Sequence, residues 1–150
     1  MTQMPMTQIA FHFNMPAKLP YAVRLLRKAA LSGAKVTVVG SPADLAYLDE
    51  QLWATSPTDF IAHVGPQADP DLRDLSPILL TPQVPEQGPH QVLVNVGPSV
   101  APGFERFDRV IEMVSQADED RSAGRERWRH YTEQGYAIQR HDLNLASASL

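Results

Sequence analysis

Arginine is the side chain best suited to gripping carboxylates and phosphates, because its planar guanidinium can bond both oxygens of one anion at once. In this chain seven of the ten arginines fall between Arg106 and Arg140, and four crowd into Arg121 to Arg129. On a helix, Arg121, Arg125, Trp128, Arg129 and Thr132 follow i, i+4, i+7, i+8 and i+11 and share one face, with Arg127 and Tyr131 on another side. The indole adds flat apolar area beside the charges. Such a stripe suits an acidic, partly aromatic ligand: a phosphate chain, or a peptide carrying carboxylates and an aromatic side chain. A solvated helix face, with Trp128 or Tyr131 turned into the core, is the plain alternative. Single-stranded nucleic acid is the rival ligand, since arginine with aromatics is its vocabulary too. Leu52, Trp53 and Phe60, large apolar groups around Pro57, form a second candidate, as core or as a contact patch for a partner protein.

The remaining motifs point to no reaction. There is no G-x-x-x-x-G-K-[ST], no G-x-G-x-x-G after an early strand and no G-x-S-x-G elbow. Gly40-Ser41 stands between a strand and a helix start, where an anion could in principle bind, and an ordinary strand-to-helix turn is the favoured reading. It keeps alive the alternative of a small nucleotide-binding α/β enzyme. His12, His63, His90, His130 and His141 are scattered without metal-ligand spacing, and the chain has no cysteine, so thiolate metal sites and cysteine nucleophiles are excluded. Asp118, Glu119 and Asp120 read as helix-start electrostatics. No catalytic residue, metal site or cofactor is expected.

The positioning elements follow from periodicity. A chain of 150 residues is long enough for one domain with a real core, burying roughly 70% of its unfolded surface. A net charge of −4 argues against wholesale coating of nucleic acid. With no membrane span and no signal peptide in sight, the expectation is a cytoplasmic protein. Residues 1–7 read as a flexible extension, 8–142 as a single α/β domain and 143–150 as a flexible polar tail. Gln8–Phe13 alternates as a strand. A helix opens at Pro20, buries Ala22, Leu25, Leu26, Ala29 and Ala30, and stops at Gly33. The β-branched run Val36–Val39 suits a strand covered on both faces, and Ser41, Pro42 and Asp44 start a second helix. Eight of the 13 prolines lie between Pro66 and Pro102, so loops surround short strands at Ile78–Leu80 and Val92–Val96. Phe107 to Val114 holds a strand, Asp118 caps a helix running to Gln134 with Gly135 as its stop, and Tyr136–Asp142 is a last strand. The fold class is α/β: a mostly parallel central sheet flanked by helices, Rossmann-like without a phosphate-binding loop.

Leu48-Asp49-Glu50-Gln51-Leu52-Trp53, then Phe60 and His63, then R-E-R-[aromatic]-[basic]-x-Y-x-x-x-G-[aromatic] from Arg125 to Tyr136, resemble the chi subunit of bacterial DNA polymerase III. The likeness covers nearly the whole chain. It implies a non-catalytic accessory protein of the clamp-loader assembly in DNA replication, whose α/β fold has lost its nucleotide signatures. It implies two partners, with DNA met only indirectly: the psi subunit of the clamp loader, and the acidic C-terminal tail of single-stranded DNA-binding protein, which ends in an aromatic residue. The family's tail-binding positions fall on Val114, Arg121, Arg125, Trp128 and Arg129, and its psi-facing aromatics on Trp53 and Phe60. Trp128 stands where a tyrosine is expected, and Arg121 and Arg129 where lysines are. Phe11-His12-Phe13-Asn14 is atypical, and the proline-rich middle aligns poorly.

Overall fold

A computed structural model describes residues 7–54, 63–64, 78–86 and 90–143, with the backbone alone for 53–54 and 63–64. The elements are β1 (Gln8–Met15), α1 (Lys18–Leu31), β2 (Val36–Val39), α2 (Pro42–Ala54), β3 (His63–Val64), β4 (Ile78–Thr81), β5 (Val92–Asn95), a 3-10 turn (Phe104–Arg106), β6 (Arg109–Ser115), α3 (Asp118–Glu133) and β7 (Ile138–Asp142). Seven strands form one sheet in the order β3-β4-β2-β5-β6-β1-β7. Every pairing in it is parallel. The expected α/β architecture is the observed one. The short β3 and the 3-10 turn carry no sequence signal of their own.

Strand alternation divides the core in two. Val36, Val38, Ile78, Leu80, Val94, Ile111 and Met113 face α1 and α2, meeting Ala22, Leu26, Leu45, Leu48 and Leu52. Ile9, Phe11, Val39, Leu93, Val110 and Val114 face the other way, toward Phe104, Tyr131 and Trp128. The β-branched run at 36–39 and the apolar run at 92–94 are thus covered on both sides, as parallel strands require. Thr7 and Leu143, at the edges of the expected extension and tail, are both packed: the Thr7 hydroxyl donates to Phe107 O at 2.7 Å, and Leu143 lies against the α1 and α2 core.

Two helix starts differ in detail. α1 starts at Lys18, so Pro20 lies inside the first turn, where backbone N–H groups have no intrahelical acceptor and its missing donor costs nothing. Gly33 stops it with φ +88°, as expected. Ala117, not Asp118, occupies the N-cap of α3, without a side-chain cap. Asp120, in the first turn, ties the helix start to β6 and α1: its carboxylate accepts from Ser115 N at 2.6 Å and from Lys18 Nζ at 2.8 Å. Burial alone would raise the Asp120 pKa, but the Lys18 and Ser115 bonds outweigh it and hold the carboxyl below its ordinary value.

The seat of α3 is a buried polar network. Arg127, 1% exposed, points into the sheet and donates from Nε to Glu112 Oε1 at 2.8 Å. Its other nitrogens donate to Pro98 O at 2.9 Å and Met113 O at 3.1 Å. Glu112 Oε2 accepts from Tyr131 Oη at 2.6 Å and from Asn95 Nδ2 at 3.1 Å. Burial pushes the Glu112 carboxyl up from its usual range, against the pull of Arg127, Tyr131 and Asn95. Next to this network Gly124 lets the helix approach closely: a Cβ there would stand 2.7 Å from Val114 Cγ2. A glycine inside a helix costs about 0.5–1 kcal/mol relative to alanine, and here the shape of the contact demands it.

Removing one partner of a buried ion pair strands the other charge, at a cost of about 3–5 kcal/mol. Arg127→Met therefore destabilises by that amount in urea denaturation. Adding Glu112→Gln recovers most of the loss, since the neutral amide oxygen that replaces the carboxylate still accepts from Tyr131. Equal losses in the single and double variants contradict this account. A second prediction concerns pH. His12 lies between β1 and α1, its Nδ1 bonded to Tyr21 Oη and its Nε2 buried without a partner. Burial first, then the charges of His141 and Arg109, lowers its pKa to about 4 from 6.5. A depressed folded pKa means stability that is full above about pH 6.5 and lost as the pH falls through 4. Stability is therefore expected to fall measurably between pH 7.5 and pH 4.5. His12→Gln, which keeps a partner for Tyr21, flattens that slope, and an unchanged slope removes His12 as the cause.

Candidate functional site

At the carboxyl ends of β1 and β6, under α3 and beside β7, lies a groove of about 380 Å³ lined by Phe11, Phe13, Asn14, Val114, Ser115, Arg121, Gly124, Arg125, Trp128 and Arg140. Its floor is aromatic and aliphatic. Alternation along β1 turns Phe11 and Phe13 to the α3 side, where Phe11 meets the Trp128 ring at 5.0 Å between centroids. Val114 joins them from β6. Pairing of β1 with β7 sets Arg140 opposite Phe11 and Asp142 opposite Phe13. The Arg140 guanidinium rests 5.6 Å from the Phe13 centroid and 6.0 Å from that of Trp128.

The rim is shaped by an irregularity in β1. Its register with β6 shifts between Phe13 and Met15, and Asn14, at φ +71°, takes the left-handed conformation that asparagine tolerates better than most residues. Asn14 Nδ2 donates to Asp142 Oδ1 at 2.8 Å, and Gln116 Nε2 donates to Asn14 O at 2.9 Å, tying the bulge to β7 and to the start of α3. The bulge thereby ends β1 at the groove.

Of the five expected tail-binding residues, Val114, Arg121, Arg125 and Trp128 meet here and Arg129 does not. Arg129 is exposed and stands 3.6 Å from Glu126. The reason is helical drift. A step of four residues turns about 40° past a full circle, so Arg121, Arg125 and Arg129 rotate progressively away from the sheet. Gly124, Arg127 and Tyr131 mark the buried side, and Arg129 lies nearly opposite them. Arg127, which spacing assigns only to another side of the helix, is the interior anchor. Phe11, Phe13, Asn14 and Arg140 complete the groove, although no sequence motif singles them out for it. Arg140 belongs to the C-terminal arginine cluster, yet only the β1–β7 pairing brings it to α3. Phe60 and the Trp53 side chain lie outside the described residues.

The groove's chemistry is that of binding. Arg121, Arg125 and Arg140 are exposed at its edge, and among the described residues no carboxylate pairs with any of them. Among those residues there is also no cluster of His, Cys, Asp and Glu fit to hold a metal. The Gly40-Ser41 turn is accounted for by packing and capping. A Cβ at Gly40 would stand 2.6 Å from Val96 Cγ2, and Ser41 Oγ accepts from Asp44 N at 3.2 Å to cap α2. Among the described residues no helix is long and apolar enough to cross a membrane.

Residues 6–139 match the family model described as DNA polymerase III chi subunit, HolC. The DNA polymerase III subunit chi of Pseudomonas aeruginosa is 33% identical over 144 residues, covering 92% of this chain and 98% of that protein. The chain belongs to the DNA polymerase III chi subunit family, whose members are accessory, non-catalytic proteins of DNA replication.

Proposed function

We propose that this chi-family protein links two partners within the replication machinery, taking the acidic, aromatic-ended C-terminal tail of single-stranded DNA-binding protein in the α3 groove and the psi subunit of the clamp loader through Trp53 and Phe60. The observation that carries the first half is an apolar floor of Phe11, Phe13, Val114 and Trp128 edged by three arginines without a carboxylate partner among the described residues. The second half rests on the family resemblance. The tail's terminal ring packs on the floor while its carboxylates meet the cations. Arg129, outside the groove on the next turn, adds to the field that draws an acidic segment in. Contact with DNA is indirect, in keeping with a net charge of −4, and the protein acts in the cytoplasm.

A charge-assisted hydrogen bond contributes about 1.5–3 kcal/mol and burial of a ring of this size about as much. Two or three such contacts, less the cost of ordering a tail, give an affinity around micromolar, or about −8 kcal/mol. Binding of this strength is salt-sensitive and quickly reversed, as a contact made and released along coated DNA requires. Arg125→Ala weakens binding of a tail peptide about tenfold or more in calorimetric titration, with the melting temperature unchanged. Undiminished affinity removes Arg125 from the site. A gel shift with bare oligonucleotide, with and without the coating protein, separates tail binding from direct single-strand binding through the same arginines.

A further inference from the structure

β7 closes one end of the sheet and pairs with β1 alone. Toward α3 it presents Arg140 to the groove. Toward α1 it presents His141, set directly opposite His12 in the β1–β7 register. The two imidazole rings lie 4.5 Å apart between centroids, tilted by 37°. His141 is exposed, whereas His12 is buried. On the α1 face, then, the edge strand meets the sheet through a contact between two titratable rings.

His12 is a poor seat for a second proton. Its Nδ1 is bonded to Tyr21 Oη and its Nε2 is buried without a partner. The groups that face it are His141 from β7, Arg109 from β6 and Tyr21 from α1, with Arg24 beside Tyr21, and none of them is a carboxylate. An imidazolium formed there has no counter-charge among these groups, and its new donor has no acceptor. Moving β7 away relieves both faults by admitting water. β7 is also the smallest element to move: five residues with one paired neighbour, whereas β1 lies between β6 and β7 and α1 buries Ala22, Val23 and Leu26.

We infer that β7 is an acid-released strand: a proton taken up by the His12–His141 pair detaches it from β1 while the rest of the sheet stays folded, and the groove loses its Arg140 wall. The attached strand holds His12 below its ordinary value, so attachment is at full strength above about pH 6.5 and weakens as the pH falls toward 4. The imidazoles stand on the far face of the sheet from the groove, so protons act there without entering the ligand's site. A ligand that grips Arg140 opposes the release by the same linkage. Release itself needs only the fold and is independent of which ligand the groove takes.

Amide hydrogen exchange of the whole protein, followed by NMR at pH 7.5 and pH 5 and expressed as protection relative to unstructured peptide, tests this. The β7 amides that bond to β1 are compared with the amides of β5, Val92–Asn95, in the middle of the sheet. On acidification β7 protection falls about fivefold or more, and at pH 5 β7 exchanges about tenfold or more ahead of β5. In His12→Gln the fall shrinks below about twofold. His141→Gln, which keeps the buried ring but removes its titratable neighbour, falls between, and His130→Gln, at an exposed α3 position, behaves as the unaltered protein does. If β7 protection in the unaltered protein is the same at both pH values, or if β7 and β5 exchange together at pH 5, the strand does not leave on its own and the inference fails. A fall that persists undiminished in His12→Gln places the proton elsewhere and overturns it as well.

Discussion

A guanidinium withdrawn from water destabilises a protein by several kcal/mol unless its donors find acceptors, and the placement of α3 follows from how this chain meets that demand. Arg127 reaches Glu112, Met113 and Pro98 together, so one side chain joins the helix to β6 and to the loop after β5. Tyr131, one turn on, reaches the same carboxylate. Two residues four apart thus fix the rotation of α3 about its own axis, and Gly124 fixes its distance from the strand. With rotation and height both set, the remaining faces of the helix have no freedom. Trp128 lies at the boundary of the core, Arg121 and Arg125 above the groove, Arg129 in solvent. The polar interior determines what the surface can present.

That geometry gathers positive charge beside an apolar hollow and leaves the charges without internal carboxylate partners among the described residues. Nearby acids are engaged elsewhere: Asp120 with Lys18 and Ser115, Asp142 with Asn14, Glu112 with the interior network. Such segregation is what a receptor for an anionic, partly apolar partner requires, because a rim already neutralised from within would have nothing left to offer. The groove also lies at the carboxyl ends of parallel strands, where open α/β sheets generally place ligands. The turn at Gly40, where a nucleotide-binding relative would carry glycines for a phosphate, is packed by Val96. The bulge at Asn14 instead helps shape the place where this chain has its hollow.

The legible part of the fold is the part governed by near neighbours. The burial of Val36–Val39, the start of α2 at Pro42, the glycine stops after α1 and α3 and the strand nature of the β-branched run at 110–114 all express local propensity, and all hold. Spacing misleads where a distant group intervenes. Asp118 does not cap α3, because the helix already starts at that residue and Ala117 takes the cap position. Arg129 groups with Arg121 and Arg125 because an i, i+4, i+8 series looks like one face, although its rotation of about 80° over the series exceeds what one groove wall can use. Arg127 looks like one more surface charge, since nothing within a few residues announces Glu112 as its partner.

Local spacing and composition are sufficient for the α/β class and the helix that carries the cations, because each depends on backbone propensity readable over a dozen residues. The membership of the groove is not readable that way. Phe11 and Phe13 stand more than a hundred residues from Arg125, and Arg140 reaches them because the last strand pairs with the first. Which arginine is anchor, which is rim and which faces water depends on the burial of one carboxylate in β6. Only packing across the sheet could settle that, since a charge chooses its environment by the partners the whole fold brings to it.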